Sequence, residues 1–153
     1  MLSLPPAFQG KAHLVDPTGA LKVWITDPPG MLDHLVEGST FTAEAANWLV
    51  TEATDAMMAY GKSRGVERFV FVHDWRGGRA HDSSARLRII GWGRRLVRQI
   101  ERIDIAIAED APALFRMAVF GGTMAMSVLG VKCEVHTSID EAVAAARVLP
   151  ARL

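Results

Sequence analysis

Apolar and polar positions switch between two periods along this chain. Short apolar or alternating runs mark strands, and apolar residues at three- and four-residue steps mark helices. Residues 13–15 and 20–25 flank Asp16-Pro17-Thr18-Gly19, a turn sequence, so the chain opens with a predicted hairpin. Pro28, Pro29 and Gly30 break it, and residues 31–37 read as a strand ended by Gly38. Ser39, Thr40 and Thr42 offer caps for a helix over 43–60, in which Trp48, Leu49, Ala53, Ala56, Met57 and Tyr60 share a face. Residues 68–73, Arg-Phe-Val-Phe-Val-His, form the clearest strand, and 74–81 read as a loop.

Asp82 or Ser83 caps a second helix predicted to reach Arg102, and residues 104–108 form a short strand. Asp110 caps a third helix, with Pro112 in its first turn, that runs to about Val128 and stops at Gly130. Residues 134–136 are a last strand. Ser138 and Glu141 make a capping box for a final helix over 139–148. Alternation of strands with helices predicts an α/β fold: a central, mostly parallel or mixed sheet of four to six strands, an N-terminal hairpin and about four helices. One domain spans 1–153, with 1–11 as a loose leader carrying Pro5, Pro6 and Gly10.

Composition narrows the function. Half of the 153 residues are hydrophobic and the formal net charge is zero, which excludes a disordered tail and a nucleic-acid-coating protein. The single cysteine, Cys133, excludes an internal disulfide framework, and no Cys/His cluster has zinc spacing, so neither metal nor other cofactor is expected. The N-terminus lacks the charge and apolar run of a signal peptide. The longest uncharged run, residues 117–131, falls short of the ~20 residues that span a bilayer. A cytoplasmic location is the expectation.

A resemblance enters at the central strand. It ends at Asp74, and Asp82-Ser83-Ser84 opens the next helix eight residues later; upstream, Gly38-Ser39-Thr40-Phe41-Thr42 turns into the first helix. This spacing resembles the STAS superfamily, the anti-sigma-factor antagonists of SpoIIAA type, over residues 12–149. There a strand ending in Asp or Asn is followed by Asp-Ser-Ser-Gly-Leu-Gly at a helix start. The chain departs from that pattern with Ala85-Arg86-Leu87 in place of Gly-Leu-Gly, as a diverged member would. The resemblance implies a non-enzymatic regulatory module that docks a protein partner, a kinase or anti-sigma-like regulator. It implies Ser83 as phospho-acceptor, with Asp74, Asp82 and Ser84 shaping its surroundings. On the residues alone, Asp82 or Ser83 is equally an N-cap.

Other constellations stay open. Arg88, Arg94, Arg95, Arg98 and Arg102 fall on one side of the predicted second helix, with Arg76 and Arg79 in the loop before it. Arg76, Arg79, Arg86, Arg88 and Arg95 are the expected partner-binding set, able to meet an acidic protein or an anionic lipid; the plain alternative is a solvated face. His73-Asp74 and His81-Asp82 offer an acid–base pair or hard metal site. Neighbours on a strand point to opposite faces, so only Asp74 and His81 can converge. No nucleophile elbow, phosphate loop or dinucleotide fingerprint accompanies them, and no catalytic residue is expected. Trp24, Trp48, Trp75, Trp92, Met117, Met124 and Met126 either pack a core or line an apolar pocket, as in the SEC14-type lipid binders grouped with STAS-like sequences. An apolar-ligand carrier is therefore the alternative function. An exposed sheet edge and Trp75 in a polar loop make a homodimer the expectation.

Overall fold

The apolar run after Arg68 forms the middle of the molecule. In a computed structural model, which describes residues 2–153, it is strand β5 of the elements below, with every residue buried. In chain order the strands and helices are β1 (Leu14–Val15), β2 (Leu21–Asp27), β3 (Gly30–Leu35), β4 (Thr40–Phe41), α1 (Ala43–Trp48), α2 (Thr54–Ser63), β5 (Phe69–Asp74), β6 (Ala80–His81), α3 (Ser83–Leu96), β7 (Ile100–Ala106), α4 (Ala113–Val128), β8 (Lys132–His136), α5 (Ile139–Ala146) and β9 (Leu149–Pro150).

The main sheet has the order β1-β2-β3-β5-β7-β8, with β9 pairing β2. It has seven strands, more than the four to six expected, because the chain returns after α5 to add β9. The first pairs are antiparallel and the β3, β5, β7 and β8 pairs are parallel. The Asp16 turn closes the first hairpin: its carboxylate accepts from Leu21 N at 2.7 Å and Thr18 N at 3.0 Å, and Gly19 takes φ 76°.

The two faces of β5 feed two cores. Phe69, Phe71 and Trp75 pack under α1 to α4, whereas Val70 and Val72 pack with Trp24, Leu32 and Ile139 beneath α5. The expected leader joins the second core. Phe8 is fully buried, edge-on to Trp24 at 6.2 Å, so the burial of one aromatic docks a segment whose prolines and glycine read as loose.

Element boundaries differ from the sequence expectation in several places. The first helix continues past residue 60 to Ser63 through a five-residue π turn, Leu49–Ala53. The second ends at Leu96, and Ile100 and Arg102 belong to β7, because Ile100 is buried against the sheet and pairs Phe69. Asp110 does not cap α4; Pro112 holds that place, and the exposed Asp110 carboxylate sits 3.5 Å from Arg79. Within 74–81, Ala80 and His81 form β6, which pairs in parallel with β4 as a separate two-stranded ladder. The Ser138 cap is as expected, accepting from Glu141 N at 3.3 Å.

One close approach makes a direct test of the pairing. A Cβ on Gly30 would lie 1.8 Å from the Val70 carbonyl oxygen, which is backbone and has no room to move. Gly30→Ala is expected to destabilise by at least about 2 kcal/mol through overpacking. A urea melt that overlays the parent's would contradict the β3–β5 register.

Candidate functional site

The sheet carries a crosswise pair of buried dyads. Strand β3 reads Asp33-His34 and β5 reads His73-Asp74, and their parallel register sets Asp33 beside His73 and His34 beside Asp74. Because side chains alternate across a strand, each face of the sheet receives one Asp–His pair.

On the α5 face, His34 Nδ1 lies 2.7 Å from Asp74 Oδ2. Arg76 grips the same carboxylate twice, Nε to Oδ1 at 2.7 Å and an Nη to Oδ2 at 3.0 Å, and also donates to the Ser3 carbonyl at 2.9 Å. Burial alone pushes the Asp74 carboxyl up; the hydrogen bonds from His34 and Arg76, with their charges, outweigh it and hold the group below the usual carboxylate range. Asp74 is fully occupied and 0% exposed, and among the described residues its side chain does not meet His81. His81 instead packs edge-on to Phe115 on the other face.

On the opposite face, His73 Nδ1 bonds Asp33 Oδ1, and Trp75 Nε1 donates to Asp33 Oδ2 at 2.7 Å. Trp75 was expected in a polar loop; that hydrogen bond and stacking on His73 at 4.7 Å bury it. It therefore does not supply the exposed aromatic on which the homodimer expectation drew. Trp92 stands edge-on to Phe71 at 5.1 Å, and its buried indole N–H has no hydrogen-bond partner among the described residues.

These side chains floor one end of a cavity of about 370 Å³ between the sheet, α3 and α4. Phe71, Ile103 and Ile105 line it from the strands, Ile89, Ile90 and Trp92 from α3, and Phe115, Val119 and Met126 from α4. Phe41 and His81 close the end nearest the β4–β6 ladder. Its lining is overwhelmingly apolar, and no acidic side chain contributes among the described residues. Cys133 lies in it with its thiol pushed up by burial. Of the aromatic and sulfur residues singled out in the sequence, Trp75, Trp92 and Met126 line the cavity. Trp24 and Trp48 serve cores, and Met117 and Met124 are exposed on the outer side of α4.

Asp82, Ser83 and Ser84 are exposed at the start of α3. Asp82 does not cap its own helix; its carboxylate accepts from Ala43 N, at the start of α1, at 3.0 Å. The first turn of α3 is thus without a side-chain cap. Arg79, Arg86, Arg88 and Arg95 are exposed, with Arg88 donating to Asn47 at 2.9 Å. Arg76 is the exception, its side chain only 14% exposed on Asp74. Arg102 lies on β7, bidentate to Asp104 at 2.6 and 2.8 Å. His136 Nε2 is 2.8 Å from the same carboxylate. Asp104, Glu134 and His136 bring donor atoms within 4.8 Å of one another, but the Arg102 guanidinium already answers their charge.

Asp33 and His34 escaped the sequence reading, as did the Asp104–His136 pair. The available signal was Asp-His in one strand mirrored by His-Asp in the next.

The fold is shared with a solved structure. The chain is similar to an uncharacterized protein of the DUF3478 family from Shewanella loihica PV-4, described as having a SpoIIAA-like fold. The match has a TM-score of 0.54 and 14% identity, and covers 76% of this chain and 83% of that one.

The fold is SpoIIAA-like.

No protein-family model matches the sequence, and no curated protein does. The SpoIIAA-like frame accounts for the position of the cavity: α3 and α4 follow β5 and β7, and the space lies where they cover the apolar face of those strands. Among the described residues no helix is long and apolar enough to cross a membrane.

Proposed function

We propose that this SpoIIAA-like protein is a non-enzymatic binding protein whose α3–α4 cavity holds a small apolar molecule. The cavity carries the reading. At about 370 Å³ it lies at the lower end of the roughly 300–1,000 Å³ typical of ligand pockets, and it is walled by aliphatic and aromatic side chains. A closed core would have favoured a pure docking module. The acid–base pair that the sequence offered, Asp74 with His81, does not converge: Asp74 is held by His34 and Arg76, and His81 packs on Phe115 across the sheet.

The test is titration of the full chain with the neutral dye N-phenyl-1-naphthylamine. Saturable binding at one site, with quenching of Trp75 and Trp92, is expected, and dodecan-1-ol is expected to displace the dye. No saturable binding by dye or alcohol would end this reading.

A regulatory reading is favoured separately by the exposed, uncapped start of α3. There Ser83 sits where free N–H groups and the helix dipole attract an anion. A kinase-modified Ser83, beside exposed Arg79, Arg86 and Arg88, would recast the surface offered to a protein partner. Ser83→Asp is expected to stabilise the fold by about 0.3–1 kcal/mol, less in high salt, and Ser84→Asp to do less. A urea melt in which Ser83→Asp destabilises would remove the anion-accepting helix start on which this reading rests.

A further inference from the structure

Resting on the cavity reading above, we infer that the occupant is a single-chain anionic amphiphile, a carboxylate on one hydrocarbon tail, held tail-inward with its head at an arginine rim. The charge distribution of the lining carries this. Among the side chains around the cavity there are two arginines, Arg86 and Arg94, and no aspartate or glutamate. In a chain whose acidic and basic residues balance at 17 each, that local excess is a property of this site.

Both arginines are exposed on α3, and among the described residues neither has an acidic partner. Every other arginine that lines a buried region of the fold is already committed to a carboxylate: Arg76 to Asp74 and Arg102 to Asp104. The guanidiniums of Arg86 and Arg94, beside the cavity, remain open to one. They stand eight residues apart, about 12 Å along the helix axis at 1.5 Å per residue. α3 and α4 run side by side, with Gly93 against Met126. The space is therefore a slot with an arginine towards each end and an apolar floor.

A slot of this volume takes one hydrocarbon tail. A two-chain lipid needs more room than the lower end of the ligand-pocket range provides. The tail loses its contact with water against Ile89, Ile90, Ile103 and Val119. The head remains at the half-open rim, where a planar guanidinium can take both carboxylate oxygens. A cationic head on the same tail would meet like charge at either end and find no acidic side chain to offset it.

The experiment titrates the full chain with dodecanoate, dodecan-1-ol and dodecylammonium at low ionic strength, by calorimetry and by tryptophan fluorescence. It is repeated on the double variant Arg86→Gln/Arg94→Gln, whose sites are exposed and outside the core. Dodecanoate is expected to bind at least tenfold more tightly than dodecylammonium, with the alcohol between them, and 0.5 M salt is expected to shrink the gap. In the double variant dodecanoate is expected to fall to the affinity of the alcohol, and the alcohol to stay unchanged. Equal or tighter binding of dodecylammonium, or a dodecanoate preference that survives in the double variant, overturns the inference while the cavity reading stands. Failure of all three to bind overturns both.

Discussion

Asp74→Asn is expected to lower unfolding free energy by about 3 kcal/mol at neutral pH, the range for breaking a buried pair and leaving the Arg76 cation uncompensated. Asp74 is fully buried, His34 is 8% exposed, and the Arg76 side chain is 14% exposed, so water repairs little of the loss. The same substitution frees Arg76, which also holds the Ser3 carbonyl and so ties down the N-terminal segment. For a chain of this length the melting temperature should drop by roughly 6–12 °C.

The pH dependence gives a second check. The folded Asp74 pKa is depressed, against about 3.9 in an unfolded chain. Its contribution is therefore complete above that unfolded value. It declines below about pH 4, where the unfolded chain takes up the proton first, and is gone once pH has fallen through the lower folded pKa. Urea midpoints of parent and variant should differ by a constant amount between pH 5 and 7 and converge below pH 4. A gap that is absent at pH 7, or that widens in acid, would contradict the buried His34–Asp74–Arg76 cluster.

The other large effect belongs to the cavity. Gly122→Leu is expected to weaken binding of the apolar dye at least tenfold while leaving the protein as stable as before, or more so. Gly122 lies on α4 in the cavity wall, and a Cβ built on it meets nothing within 4 Å. The added side chain therefore extends into the space a ligand would fill. Replacing a mid-helix glycine also removes backbone freedom from the unfolded chain, worth about 0.5–1 kcal/mol. Cavity filling adds burial in the same direction. Binding and stability thus move oppositely, which separates loss of the site from loss of the fold. Unchanged dye affinity in a folded Gly122→Leu protein would place the ligand elsewhere.

Much of the frame was legible in the chain itself. The run from Phe69 to Asp74 announced a strand buried on both faces, because β-branched and aromatic residues fill both sides of its pleat. The Asp16–Gly19 turn and the Ser138 cap were readable because their hydrogen bonds are local, within a few residues. The order of strands and helices implied the parallel sheet, and the Asp74 and Ser83 spacing implied its SpoIIAA-like form. Ser83 stands exposed at the start of α3 because no core-facing residue lies in its turn until Ala85.

What the chain alone left open required side chains distant in sequence to meet. Asp33 with His73 and His34 with Asp74 are pairs 40 residues apart, and only the β3–β5 register turns two dipeptides into two dyads on opposite faces. Asp82 carries the signal of a cap, yet which helix it caps depends on how close α1 comes. Ile100 and Arg102 fit a helical stripe until the buried position opposite Phe69 draws Ile100 into β7. The cavity was the least legible feature. The same isoleucines, tryptophans and methionines make either a filled core or a lined space, and the choice lies in how far α3 and α4 stand from the sheet, a distance that packing across the whole fold sets.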